Sequence, residues 1–307
     1  MVKYIVKNVL MVIPTMLCVV FIIFTINYFT PGDPVAAFFD YDYTEEQYAE
    51  KAAEWGLDQP FVVQFVRYIK NVVTDFDMGY SFYSGRSVKA ELIERFPVSL
   101  RLGLMSMALT VIVGVPFGVI SATKQYSLLD YTVTFVSVFF AAVPGFWLSM
   151  IMIIIFSGWL GWLPSSGLTH WTCYIMPVIA SSAPYIAAVT RQTRSSMLEV
   201  IRQDYIRTAR AKGVSEGRVI QKHALRNAML PVVTLIGMQA GACIVGSAVI
   251  EAIHSFPGMG TLMLTAINNN DYSTIRAVVL LLSAVVCIVN LIVDLIYGLI
   301  DPRVKVK

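Results

Sequence analysis

Six apolar runs, at about 8–29, 98–122, 132–157, 174–192, 229–251 and 276–299, are each long enough to cross a lipid bilayer. They define the expected fold, an all-α integral membrane protein with six transmembrane helices. Composition agrees: 57% of the 307 residues are hydrophobic and 14% are charged, which excludes an ordinary soluble domain. The net charge of +3 is too small to suggest nucleic acid. Cys18, Cys173, Cys243 and Cys287 lie far apart, as do His170, His223 and His254, so neither a disulfide framework nor a zinc spacing is present.

The first run is expected to be a retained helix. Lys3 and Lys7 precede it, and it continues into FTPGDP (29–34) without the small-residue cleavage site of a signal peptide. Arg303, Lys305 and Lys307 follow the last run, so both termini are expected to be cytoplasmic by the positive-inside rule. Residues 191–228 hold nine Lys/Arg against three acids, whereas residues 30–97 hold twelve acids against six bases. The first segment suits the inner face and the second the outer. Lys124 assigns the connection 123–131 to the inside, and the uncharged GWLPSSGLTHW (161–171) suits an outer interface.

The outer segment is too long for a passive turn. EEQYAEKAAEWGL (45–57) has helical character and 64–73 is amphipathic, so a small folded cap is expected. It would either shield the helix ends or receive a partner. The expected organisation is therefore a first transmembrane helix (1–30), an extracytoplasmic cap (31–97), a core transmembrane domain (98–300) and a cytoplasmic tail (301–307).

Within the spans, Pro14, Pro116, Pro144, Pro177, Pro184 and Pro231 can each bend a helix. GVPFG (114–118) and GMQAG (237–241) read first as close-packing surfaces. Arg101 and Glu251 fall near outer ends, where snorkelling is available, and Asp294 lies one turn after Asn290 near an inner end. No carboxylate is expected at the midplane and no repeated filter sequence occurs, which argues against an ion-coupled carrier and an ion channel.

The cytoplasmic connection 193–228 contains DYIRTARAKGVS (204–215). Leu198, Ile201, Tyr205, Ala209 and Lys212 recur at three- and four-residue steps, predicting one helix from Leu198 to Lys212. Gly213 stands where a helix wants a left-handed residue, and Ser215 is a candidate N-cap for a second short helix through Asn227. Such a basic hairpin would lie on membrane lipid or dock into another protein. The small Thr208 and Ala209 favour docking, because small side chains bind lipid poorly and let a helix sit deep in a groove.

This segment resembles the cytoplasmic coupling loop of ABC-importer permeases, in the form usual in their dipeptide/oligopeptide/nickel branch. The pattern Glu-Ala-Ala, three residues, Gly is replaced here by Arg207-Thr208-Ala209, Arg210-Ala211-Lys212 and Gly213. FTPGDP, GLDQP (56–60), RFPVSLRL (95–102), GWLPSSG (161–167), SFPGMG (255–260) and NLIVDLIYGLIDPR (290–303) are similar to the B-type permease of that branch. DFDMGYSF (75–82) departs from its usual form, and the connection 167–177 is short.

The resemblance implies a type I ABC importer permease fold and half of a membrane heterodimer in a bacterial cytoplasmic membrane. It implies as partners a homologous second permease, two ATPase subunits and an extracytoplasmic substrate-binding protein. It also implies docking of an ATPase through Asp204, Tyr205, Thr208, Ala209, Lys212 and Gly213, with no catalysis and no cofactor in this chain. ATP and Mg would sit on the partners. The sequence holds no GxxxxGK[ST], hence no P-loop of its own. Peptides are the expected cargo, with nickel chelates or glutathione as alternatives. A carrier acting alone is the competing class.

Overall fold

A computed structural model describes residues 2–39 and 42–300, with side chains described for 10–36, 38–39, 42–293 and 295. The charges on which the sequence places both termini inside (Lys3, Lys7, Arg303, Lys305, Lys307), the carboxylate of Asp294 and the tail 301–307 lie outside that description.

The chain order is α1 (Val2–Phe29), α2 (Pro34–Phe38), α3 (Glu45–Trp55), α4 (Phe61–Asp75), α5 (Val88–Thr123), α6 (Leu128–Ala142), α7 (Gly145–Met152), α8 (Ile175–Ile201), α9 (Asp204–Ala211), α10 (Glu216–Arg218), α11 (Arg226–Val245), α12 (Ala248–Ile253), α13 (Met259–Asn268) and α14 (Tyr272–Ile300). A π-helical stretch, Ile153–Trp159, extends α7, and another, Val219–Leu225, joins α10 to α11. No strand occurs among the described residues. Five helices are long and apolar enough to cross a membrane, and α6 with α7 makes a sixth if their bent pair is one span.

That pair is bent where Pro144 allows it. The run 132–157 is not a single straight helix: α6 and the segment from α7 to Trp159 meet at 102°. Pro144 has no N–H to donate and holds Val143 extended (φ −83°, ψ 122°). Gly145 follows, and a Cβ there would stand 3.1 Å from the Ala180 carbonyl oxygen, so the bend packs closely against α8.

The chain divides into two compact units. Of the described residues, 2–5, 100–256 and 288–300 belong to one, and 6–39, 42–99 and 257–287 to the other. In the first, α8 is central and presents small side chains, with Ala180, Ser182, Ala187 and Thr193 wholly buried. A Cβ on Gly114 would press on Val189, and one on Gly118 would meet the Thr193 side chain and, at 2.7 Å, the Thr190 carbonyl oxygen. GVPFG is thus a packing face between α5 and α8. Gly237 likewise admits Val293.

Glu251 departs from expectation. It does not snorkel but is buried, accepting a 2.7 Å hydrogen bond from Ser247. His254 is also buried, with Nε2 2.9 Å from Ser149 Oγ and Nδ1 3.1 Å from the Ser165 carbonyl oxygen. An Nδ1–H tautomer satisfies both contacts, donating to Ser165 and accepting from the Ser149 hydroxyl.

The second unit contains the cap. Thr44 and Gln47 form a reciprocal capping box at the start of α3, and Gly56 ends that helix at φ 69°. Phe61 and Phe65 of α4 pack edge-on against Phe21 and Phe24 of α1. Asp271 staples the loop after α4, accepting from Ser81 Oγ, the Phe82 N–H (3.0 Å) and Thr274 Oγ1 (2.6 Å). Val88, Leu92, Met259, Leu262, Ala277 and Val278 form an apolar core where α5, α13 and α14 meet.

Candidate functional site

The segment 204–215 folds as a short helix and a tight corner. Gly213 takes φ 76°, the left-handed conformation expected of it. Its N–H donates to the Arg210 carbonyl oxygen (2.9 Å), and the Val214 N–H donates to that of Ala209 (3.3 Å). These two bonds make a Schellman motif, which satisfies carbonyls the helix end would otherwise leave free. Across the corner, Arg210 grips Glu216 through both carboxylate oxygens, at 3.0 and 2.7 Å. Glu216 raises the Arg210 pKa above its ordinary value, so this guanidinium is tied within the hairpin rather than free for headgroups or partner carboxylates.

The single helix from Leu198 to Lys212 is not found. It breaks at Arg202 and Gln203, where Gln203 turns extended (φ −72°, ψ 149°) before α9 begins. The reason lies in the apolar register. In a continuous helix Tyr205 would follow Met197 and Ile201 inward, leaving Ile206 about 100° away. The break rotates α9 so that Ile206 is fully buried with Met197, Val219, Ala224 and Ala228, and Ala209 and Val214 pack against them. Tyr205 instead stays 44% exposed and accepts a hydrogen bond from Asn227 Nδ2 (3.0 Å).

The second short helix from Ser215 to Asn227 also differs from expectation. Its helical turns run through the π stretch into α11, and the Ser215 side chain makes no capping bond, although its carbonyl oxygen accepts from Arg218 and Val219.

The sequence-predicted site residues therefore separate into two faces. Asp204, Tyr205, Thr208 and Lys212 are exposed on one side of α9 and its cap, and Gly213 is exposed at the corner. Ala209 is half-buried and faces the chain's own core. The Asp204 carboxylate is almost fully exposed and does not cap the helix; its nearest cation is Arg207 at 3.8 Å. Thr208 Oγ1 is turned back onto the Asp204 carbonyl oxygen at 2.9 Å.

One ion-pair cluster, on the helix that leads into the hairpin, was missed. Arg194, on α8 two turns before the break, donates from Nε (2.9 Å) and Nη2 (3.0 Å) to the two oxygens of Asp130 on α6, and Nε also reaches Ser121 Oγ on α5 at 2.9 Å. The Tyr126 N–H adds a bond of 3.0 Å to Asp130. Three helices are thus tied together at the end of α8 from which α9 departs. The residues are separated by 64 and 73 positions, so no local pattern signals the pairing. Ile206 was the one element legible in principle, as the only large aliphatic residue between Ile201 and Val214.

Several apolar helices long enough to cross a membrane and a proline-broken span describe a multi-pass membrane protein, whose polar hairpin is held to its own core through Ile206. The chain belongs to the family of binding-protein-dependent transport system inner membrane components, whose profile matches residues 114–306, while the family's N-terminal membrane component matches residues 1–103. It is a permease component of an ABC importer. It is 39% identical to the oligopeptide transport system permease protein AppB of Bacillus subtilis (strain 168), covering 99% of this chain and 100% of that protein. It is also 39% identical to the glutathione transport system permease protein GsiC of Escherichia coli (strain K12), over the whole of both chains. Among solved structures, the inward-facing MetNI methionine ABC transporter shares the fold, with a TM-score of 0.59 at 19% identity, covering 68% of this chain and 96% of that one.

Proposed function

We propose that this chain forms half of the translocation path of an ATP-driven importer of di- or oligopeptides. In this reading it pairs with a homologous permease in a bacterial cytoplasmic membrane, with both termini and residues 193–228 inside and residues 31–97 outside. A binding protein delivers cargo to the outer side. Two ATPases, carrying the ATP and Mg, dock beneath, and this chain performs no hydrolysis itself. The names of the oligopeptide and glutathione permeases support a peptide-like cargo, and glutathione remains the specific alternative.

The observation that carries the reading is the braced hairpin. Ile206 and the Schellman corner fix α9 to its own body, Arg210–Glu216 closes the turn, and Asp204, Tyr205, Thr208 and Lys212 remain outward for a partner. A surface helix held this rigidly transmits a push instead of absorbing it. The Asp130–Arg194 pair ties α8, which leads into α9, to α6 and to Ser121 of α5, so that a displacement of α8 passes to both. ATPase closure would thereby rock the spans and open the translocation path alternately to each side.

The test is Gly213→Val in vesicles reconstituted with the second permease, both ATPases and the binding protein. A Cβ at Gly213 meets nothing within 4 Å, so the harm comes only from the left-handed backbone, about 1–2 kcal/mol, and membrane insertion is retained. ATP hydrolysis should persist while ATP-driven dipeptide uptake falls about tenfold or more. Normal uptake would overturn the role of the corner. Uptake by the chain alone under a pH gradient, without ATP, would establish the ion-coupled class instead.

A further inference from the structure

The second unit contains a cavity of about 310 Å³ whose lining includes Asn27 and Tyr28 at the end of α1, Asp33, Tyr48 of α3, Gln64 of α4, and Tyr272 and Arg276 of α14. Arg276 also lines an adjoining cavity of about 220 Å³, together with Tyr68. We infer that these cavities form a binding site for the free carboxylate of a small solute, with Arg276 as the group that receives it.

The bonding of Arg276 supports this. Its Nε donates to the Tyr272 carbonyl oxygen at 3.1 Å, and its guanidinium lies over the rings of Phe24 (4.7 Å) and Tyr68 (5.3 Å). Among the described residues, neither Nη atom has an acceptor and no carboxylate pairs with the guanidinium. A half-buried guanidinium such as this one ordinarily has an anionic partner or a full set of acceptors. Ring faces stabilise the charge but leave the two terminal nitrogens open, in the planar fork that matches a carboxylate.

The acids around the two cavities are otherwise engaged: Glu54 pairs with Lys51 (2.8 Å), and Asp77 accepts from the Gly79 N–H (2.9 Å). Asp33 Oδ1 accepts from the Val35 (2.9 Å) and Ala36 (3.1 Å) N–H groups, and its Oδ2 accepts from Tyr48 Oη (2.8 Å). Asp271 is held by Ser81, Phe82 and Thr274. A second unmet group stands beside the arginine, because Tyr68 Oη is buried without a hydrogen-bond partner. The cavity falls at the small end of the range for ligand sites, which suits an amino acid or dipeptide.

The choice of a dipeptide as probe rests on the import reading above, but the measurement does not involve transport. Labelled alanyl-alanine is equilibrated by dialysis against the full chain in lipid nanodiscs, with its C-terminal amide, acetate and inorganic phosphate as competitors. Saturable binding should be displaced by unlabelled dipeptide. The amide should compete at least about tenfold less well, because it cannot accept both charge-assisted bonds. Arg276→Gln should lose binding, and Arg276→Lys, which keeps the charge but not the fork, should weaken it about tenfold. The amide comparison needs no variant, so it decides the matter even where Arg276→Gln fails to fold. Equal competition by the amide, displacement by phosphate as effective as by dipeptide, or no saturable binding would each overturn the site. A null result here alongside ATP-driven uptake in the vesicles leaves the import reading standing.

Discussion

Asp130 is 2% exposed and Arg194 31% exposed, and their two-point contact is the best-satisfied charge pair in the unit containing α8. Breaking a buried pair from one side is worse than never having built it, because the remaining charge is left without compensation. Arg194→Met should therefore destabilise the chain by about 3 kcal/mol, although Ser121 and the Tyr126 N–H still donate to Asp130. The double variant Arg194→Met/Asp130→Leu removes both charges and should recover part of that loss. Thermal unfolding in detergent micelles measures both. A double variant no more stable than Arg194→Met alone would show that the pair acts through packing instead of charge. Function should separate from stability, since the double variant loses the strut between α8 and α6 and should still transport poorly.

At the scale of helices, glycine context decides what a side chain does. Gly118→Val drives a branched side chain into Thr193 and the Thr190 carbonyl oxygen, so α5 and α8 must separate and assembled protein should fall several-fold. Gly217→Ala adds its Cβ where nothing lies within 4 Å, and should be neutral or stabilising by about 0.5–1 kcal/mol. Yield and unfolding midpoint after purification distinguish the two, and equal tolerance would remove close packing as the reason for GVPFG. Elements of this kind were legible in the sequence where the chemistry is local: the helix at 45–57 with its Gly56 end, the left-handed Gly213 and the packing glycines. Legibility failed where tertiary contacts choose between local options. Met197, Ile201 and Tyr205 make as regular a stripe as any, yet burial of Ile206 in a cluster assembled from α8, the π stretch and α11 wins and breaks the helix at Gln203. Of the six prolines named, Pro144 accompanies a right-angle bend, because the extended Val143 and the tight approach of Gly145 to Ala180 reinforce it. The Arg194–Asp130 and Arg276 sites depend on long sequence separations and carry no local signature.

For the molecule as a whole, the exposed large side chains are predominantly apolar along the spans. They include Leu10, Leu17 and Phe21 of α1, Leu104 and Ile112 of α5, Phe135 and Phe139 of α6, and Ile288 and Ile292 of α14. Water would not tolerate such continuous faces on a monomer, whereas hydrocarbon or a second permease covers them without penalty. The proposed topology places two polar regions on opposite sides of the membrane: the acidic cap of residues 31–97 outside, and the basic hairpin inside. Glu50 and Lys212 are both exposed and lie in these two regions. With Cys18 and Cys287 replaced by alanine and the buried Cys173 and Cys243 retained, Glu50→Cys should react with a membrane-impermeant maleimide on intact cells. Lys212→Cys should react only after the membrane is opened. The reverse pattern would invert the chain and place the Arg276 cavity on the ATPase side. Labelling of both from outside would mean that the apolar runs do not all cross, and that the bent α6–α7 pair enters and leaves by the same face. Because the hairpin can receive an ATPase only from within the cell, and the cap can meet a delivered solute only from without, this one measurement bears on both proposed sites together.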